Sequence, residues 1–236
     1  KSWHVKSKKE QTISVPKTRL CIAKMLQFFS TRLLVLFVAR LFTTPIKHKM
    51  PKRELEMDKN SRQDLLMIPA INKEVVVYQY GKSDKKVLMV HGWSGRGTQL
   101  VKFADELEKS GYTTISFDAP AHGKSPGTTT IMTEFIASVL EIEKKYGPFE
   151  AAIGHSLGGM TLLNSVKRGL QLKNLIIIGS GNKIQDIIDN FVAKLKLKPQ
   201  ISDSLRNHFE KKYGETMESY SSYIAAKEIE IPVLVI

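Results

Sequence analysis

The chain has 236 residues and a formal net charge of +13 at pH 7, from 36 Lys+Arg against 23 Asp+Glu. That length can bury one substantial core and shows no repeat at solenoid periods, so a repeat array is excluded and one main domain is expected. The single cysteine, Cys21, allows no intrachain disulfide, and no N-x-S/T acceptor is present, which fits a reducing, cytoplasmic setting better than secretion. The charge is uneven: residues 1–60 hold 14 Lys+Arg and 4 Asp+Glu, whereas residues 61–236 hold 22 and 19.

In chain order, residues 1–24 are lysine-rich without periodicity and are expected as a disordered basic arm; no nucleic-acid motif accompanies them, and no nucleic-acid partner is expected. Residues 25–42 are strongly apolar, but Arg32 and Arg40 leave only seven uncharged residues between them, too few to span a bilayer. Three readings stay open: a helix docked on the body, an interfacial helix in peripheral membrane contact, and a poor signal sequence. Thr43-Thr44-Pro45 ends the helix, and the mixed-charge stretch 47–64 is expected as a linker. The domain division is thus 1–60 for arm, apolar helix and linker, and 61–236 for the main domain.

From residue 75 strands and helices alternate. Strands are expected over 75–80, 86–90, 113–117, 149–153, 174–178 and 231–236, and helices over 98–109, 129–145 and 160–170. Such repeated βα units imply a mainly parallel sheet with helices on both faces. The charged interval from Asn182 to Glu230 breaks the rhythm and reads as a helical cap inserted over the sheet, where it would shape a pocket and exclude water.

The strand at 149–153 runs into Gly154-His155-Ser156-Leu157-Gly158, a G-x-S-x-G pattern, and a helix follows. A serine hydroxyl is a weak nucleophile and must stand clear of its own backbone, which a sharp strand-to-helix turn achieves. Gly154 and Gly158 lack the Cβ that would collide there. The N–H groups opening the helix would meet a developing oxyanion. Two other signals fail on spacing. Gly123-Lys124-Ser125 lacks the glycine five positions earlier that a phosphate-binding loop needs, and Gly92, Gly95 and Gly97 do not match a dinucleotide fingerprint.

The His91-Gly92-Trp93 turn, the loop Phe117 to Ser125 and the Gly154–Gly159 elbow, in this order, resemble the α/β-hydrolase superfamily, closest to capped esterase, lipase and serine-aminopeptidase-like members. The match covers about residues 75–181 and resumes at 231. The resemblance implies an α/β-hydrolase fold, incomplete at the C-terminus, with Ser156 as nucleophile and an oxyanion hole made by the backbone N–H groups of Leu157 and Trp93. His91 and Gly92 support the turn, Gly154 and Gly158 the elbow, and Asp118 fixes the loop that carries His122. His155 is expected beside the elbow, His208 in the cap, and His4 and His48 in arm and linker, so none is a base candidate. The resemblance places the catalytic acid and histidine after strands that would follow Ile236. The chain, lacking an initiator Met at Lys1 and stopping within an apolar run, is accordingly expected to be a fragment, nearly inactive alone, with Met25 a candidate start.

The expected function is a serine hydrolase that cleaves a carboxylic ester or related acyl substrate through an acyl-enzyme, with no cofactor and no metal. The apolar helix favours a lipid-like or long acyl chain. Thioesterase, peptidase and cofactor-free peroxidase chemistry stay open, and the alternative from another class is a non-catalytic protein that binds a ligand or partner in the capped pocket.

Overall fold

The structure, a computed structural model, describes residues 16–236; the basic residues 1–15, with His4 among them, lie outside the described residues. Among the described residues seven strands form one sheet: β1 (Arg62–Ile68), β2 (Lys73–Tyr80), β3 (Lys86–Val90), β4 (Thr113–Asp118), β5 (Phe149–His155), β6 (Leu172–Ile178) and β7 (Val233–Val235). Their spatial order is β1-β2-β4-β3-β5-β6-β7. β2 pairs antiparallel with β1 and β4, and the four remaining ladders are parallel. The mainly parallel sheet expected from the βα alternation is therefore present.

The helices are α1 (Lys17–Phe29), α2 (Thr31–Phe42), α3 (Leu55–Asn60), α4 (Val101–Lys109), α5 (Met132–Tyr146), α6 (Leu157–Lys167), α7 (Ile184–Lys194), α8 (Gln200–Tyr213) and the single turn α9 (Ser222–Ala225). The period-2 geometry of the strands divides their apolar residues between two faces. Leu88, Val90, Leu175 and Ile177 face α5 and α6 through Phe135, Val139, Ile142 and Leu162. Val87, Met89 and Ile153 face α3 and α4 through Met57, Val101 and Ala104. Because β3 is covered on both sides, its sequence Lys-Val-Leu-Met-Val has no polar alternation after the first residue.

β1 was not legible as a strand. Only Leu66 and Ile68 of its seven residues are buried, and its first half, Arg62-Gln63-Asp64, is polar, as suits a strand at the sheet edge. The hairpin to β2 turns through Asn72, whose φ of 49° lies in the left-handed region that asparagine tolerates.

Two expectations for the N-terminal region are corrected. The helix begins at Lys17, not at residue 25, and it is two helices: Ser30 is extended (φ −160°, ψ 111°), and its hydroxyl accepts the Leu33 N–H at 3.3 Å, capping α2. The expected linker is packed structure, since Met57 of α3 is fully buried against the sheet and Glu54 is 2% exposed. α2 docks on the body through Leu34, Val38 and Ala39, which share a core with Ile188 and Val192 of α7 and Leu205 and Phe209 of α8. The helical interval after residue 182 and the α1–α2 pair thus form one apolar unit, resting on Ile136 of α5 and Met160 of α6.

Candidate active site

β5 enters α6 through Ser156, whose backbone sits at φ 53°, ψ −119°. A non-glycine residue there is strained by about 1–3 kcal/mol, so the surroundings must hold it. The Ser156 N–H donates to the Ile178 carbonyl at 2.9 Å, and the Ser156 carbonyl accepts the Gly159 N–H at 3.0 Å and the Ser180 hydroxyl at 3.1 Å. Close approach explains the two flanking glycines. A Cβ on Gly154 would lie 2.6 Å from the Gly158 carbonyl carbon and oxygen, and one on Gly158 would lie 2.2 Å from the Val90 carbonyl oxygen.

That second contact ties the elbow to the turn after β3, where His91, Gly92 and Trp93 lie. Nε2 of His91 accepts the Ala119 N–H at 3.1 Å, so the ring proton is on Nδ1, which donates to the Gly92 carbonyl at 2.7 Å. His122 repeats the pattern: Nε2 accepts the Ser94 N–H at 3.0 Å, and Nδ1 donates to the Pro120 carbonyl at 3.1 Å. Burial pushes His91 down to about 4 and His122 down to about 3, and the His91 ring, 4.9 Å away, adds to the lowering of His122. Both imidazoles are neutral with both nitrogens engaged, so neither has a lone pair to offer a serine.

His155 is partly buried beside the elbow, and burial holds it below the usual histidine range. Its Nδ1 is buried with no partner among the described residues. His208 lies on α8 and His48 is exposed before α3. Among the described residues no histidine hydrogen-bonds the Ser156 hydroxyl, and no group of His, Cys, Asp or Glu is arranged to hold a metal ion.

The loop after β4 is fastened by Asp118, which is fully buried and accepts the Gly97 N–H at 2.7 Å, the Lys124 N–H at 2.7 Å and the Tyr78 hydroxyl at 2.8 Å. Burial pushes this carboxyl above the usual carboxylate range, against the pull of those three donors. Its role in fixing the turn was legible; Tyr78 as a partner was not. A second fastening was missed altogether. Buried Glu54 accepts the Thr98 hydroxyl at 2.9 Å and pairs with Arg96 at 3.5 Å. The Ile46 N–H donates to the Ser94 hydroxyl at 2.9 Å, and Arg96 donates to the His48 carbonyl at 2.9 Å. The segment after α2 therefore straps the His-Gly-Trp turn, a contact no local pattern announces.

Ser156, Trp93 and Leu157 meet at a cavity of about 570 Å³ that is also lined by Phe42 of α2, Met160 of α6 and Ile187 and Phe191 of α7. The N–H groups of Trp93 and Leu157 have no hydrogen-bond partner among the described residues. Every site residue expected from the sequence, Ser156, Trp93, Leu157, His91, Gly92, Gly154 and Gly158, falls in this one region.

Residues 85–222, more than half of the chain, match the family model described as the alpha/beta hydrolase fold, and the chain belongs to the α/β-hydrolase family. Among solved structures it is similar to an esterase of Pyrococcus furiosus (18% identity, TM-score 0.58, 82% of this chain and 75% of that one). It is similar also to a thioesterase domain from the curacin biosynthetic pathway (16% identity, TM-score 0.52, covering 74% and 81%) and to mouse alpha/beta hydrolase domain-containing protein 10 (16% identity, TM-score 0.53, covering 74% and 76%). At such identities these likenesses show the fold alone. No curated protein matches the chain.

Proposed function

We propose that the protein is a serine hydrolase that cleaves a carboxylic ester or related acyl substrate, with Ser156 as nucleophile. The observation that carries this reading is the strained Ser156 at the floor of an apolar cavity, next to two backbone N–H groups that lack partners. Attack of the Ser156 oxygen on the acyl carbon turns the carbonyl oxygen toward the N–H groups of Trp93 and Leu157, where removing one such donor would cost roughly 10²- to 10³-fold in rate. The leaving alcohol departs with a proton, and water then cleaves the acyl-serine. Phe42, Met160, Ile187 and Phe191 suit an apolar acyl chain of some length. No histidine among the described residues hydrogen-bonds the Ser156 hydroxyl, so the reading needs an activating imidazole that this structure does not bring to the serine. Cys21 is free and exposed, which accords with a reducing, cytoplasmic compartment.

The test is labelling with a fluorophosphonate serine probe, applied to the product of the whole reading frame, to its Ser156→Ala variant and to the 236-residue chain. Labelling of the first alone supports the reading. A folded product of the whole reading frame that takes no label defeats it, and ligand binding in the cavity without chemistry then becomes the leading function.

A further inference from the structure

The α1–α2 hairpin has two faces with opposite fates. Inward, Ala23, Leu34, Val38 and Ala39 are buried in the core shared with α7 and α8. Outward, Ile22, Met25 and Phe29 recur at helical spacing on α1 and are continued by Leu33 and Leu36 on α2, all of them exposed. At the tip, Phe28 and Phe29 are 86% and 73% exposed, their rings edge to face at 5.3 Å. An apolar face of this extent on the surface marks an interaction site.

The charges around it identify the occupant. From Pro16 to Arg53 the chain carries nine Lys and Arg and no Asp or Glu. Lys17, Arg19, Lys24, Arg32 and Arg40 on the hairpin form no ion pair among the described residues. A second copy seated on this face would set two such acid-free surfaces against each other. Residues 1–15 would add Lys1, Lys6, Lys8 and Lys9 against the single Glu10. Both occupants leave the cations unneutralised, whereas a bilayer with anionic headgroups neutralises them while accepting the aromatic tip. No helix among the described residues is long and apolar enough to cross a membrane, so the hairpin would lie in the interface.

We propose that the outer face of α1–α2 docks the protein on an anionic lipid surface, with Phe28 and Phe29 entering the headgroup–acyl boundary and Lys24 and Arg32 at phosphate level. The opposite ends of the same helices, through Pro16, Arg19, Leu41 and Phe42, line the Ser156 cavity, so one hairpin serves both surfaces.

The experiment is co-sedimentation of the 236-residue chain with vesicles of mixed phosphatidylglycerol and phosphatidylcholine, compared with phosphatidylcholine alone. Binding is expected to the anionic vesicles. It should weaken about tenfold in Phe28→Ser/Phe29→Ser and to a similar degree in Lys24→Glu/Arg32→Glu or in about 0.5 M salt. Ser156→Ala should bind as the parent chain does, so vesicle binding and hydrolase chemistry stand or fall separately. Circular dichroism checks that the exposed substitutions leave the fold intact. Absence of binding by the parent chain, or binding by both double variants as tight as the parent chain's, overturns the proposal. So does a dimer by light scattering that Phe28→Ser/Phe29→Ser dissolves, or binding that appears only when residues 1–15 are deleted.

Discussion

Nε2 of His122 accepts the Ser94 N–H at 3.0 Å, holding from behind the turn that presents the Trp93 N–H to the cavity. His122 is thus a strut under the proposed oxyanion site. Replacing it with alanine strands a partly buried N–H and a buried carbonyl, which should cost about 2–3 kcal/mol in a urea melt. Under the proposed function, His122→Ala should also slow fluorophosphonate labelling of the active gene product at least tenfold by loosening the Trp93 donor. His122→Gln, which retains a donor and an acceptor, should recover part of both.

Gly158 stands where β3 meets α6, and a Cβ there would lie 2.2 Å from the Val90 carbonyl oxygen, a rigid neighbour that cannot yield. Gly158→Ala should therefore force the elbow apart and cost at least about 3 kcal/mol, at the severe end for a single added methyl. Gly214→Ala is the contrast. Its φ of 77° is left-handed, unlike that of helical Gly158, but a Cβ there would meet nothing within 4 Å, so the loss should be about 1 kcal/mol. Thermal melts of the two variants decide the matter.

Stability should fall as pH drops from about 6.5 toward about 4. His91 and His122 have folded values near 4 and 3, well below the ordinary histidine value, so across that window the unfolded chain binds more protons than the folded one. The contribution is fully present above pH 6.5, and its loss is on the order of a few kcal/mol. Asp118, raised by burial, acts in the opposite sense, since its folded form takes up a proton first as pH falls. Urea titrations at stepped pH should show the decline, and His122→Gln should flatten it.

Phe42 packs its ring against Phe191 at 5.1 Å and Phe209 at 5.6 Å, and it lines the cavity. Phe42→Ala should lengthen the apolar end of the cavity and move the preference of the active gene product among p-nitrophenyl esters toward longer acyl chains. Leu34→Ala, one turn or so inside α2 and fully buried, should instead cost about 2–5 kcal/mol. An unchanged chain-length profile in a folded Phe42→Ala would remove α2 from the substrate pocket.

The elbow, the His-Gly-Trp turn and the βα alternation could be read from sequence because their causes are local. Gly154 is set by crowding against Gly158 and Gly159, within five residues, and strand periodicity is written in Val87 to Val90 and Leu175 to Ile178; Gly158 is read from the pentapeptide pattern, although the neighbour it makes room for, Val90, is distant in the chain. The break at Ser30 was legible in principle as a helix-capping serine, but the continuous apolar run around it hid the signal.

Other features have partners far away in the chain, and no local pattern encodes them. Glu54 looks like any surface glutamate until folding brings Thr98 and Arg96 to it, and Ile46 reaches the Ser94 hydroxyl across 48 positions. Arg62-Gln63-Asp64 becomes strand only because β2 is alongside. Residues 25–42 left docking and membrane contact equally open, since hydrophobicity says that a face will be covered but not by what. Tertiary packing decided which face is which, turning Leu34 and Val38 toward the core shared with α7 and α8 while Phe29 and Leu33 face outward.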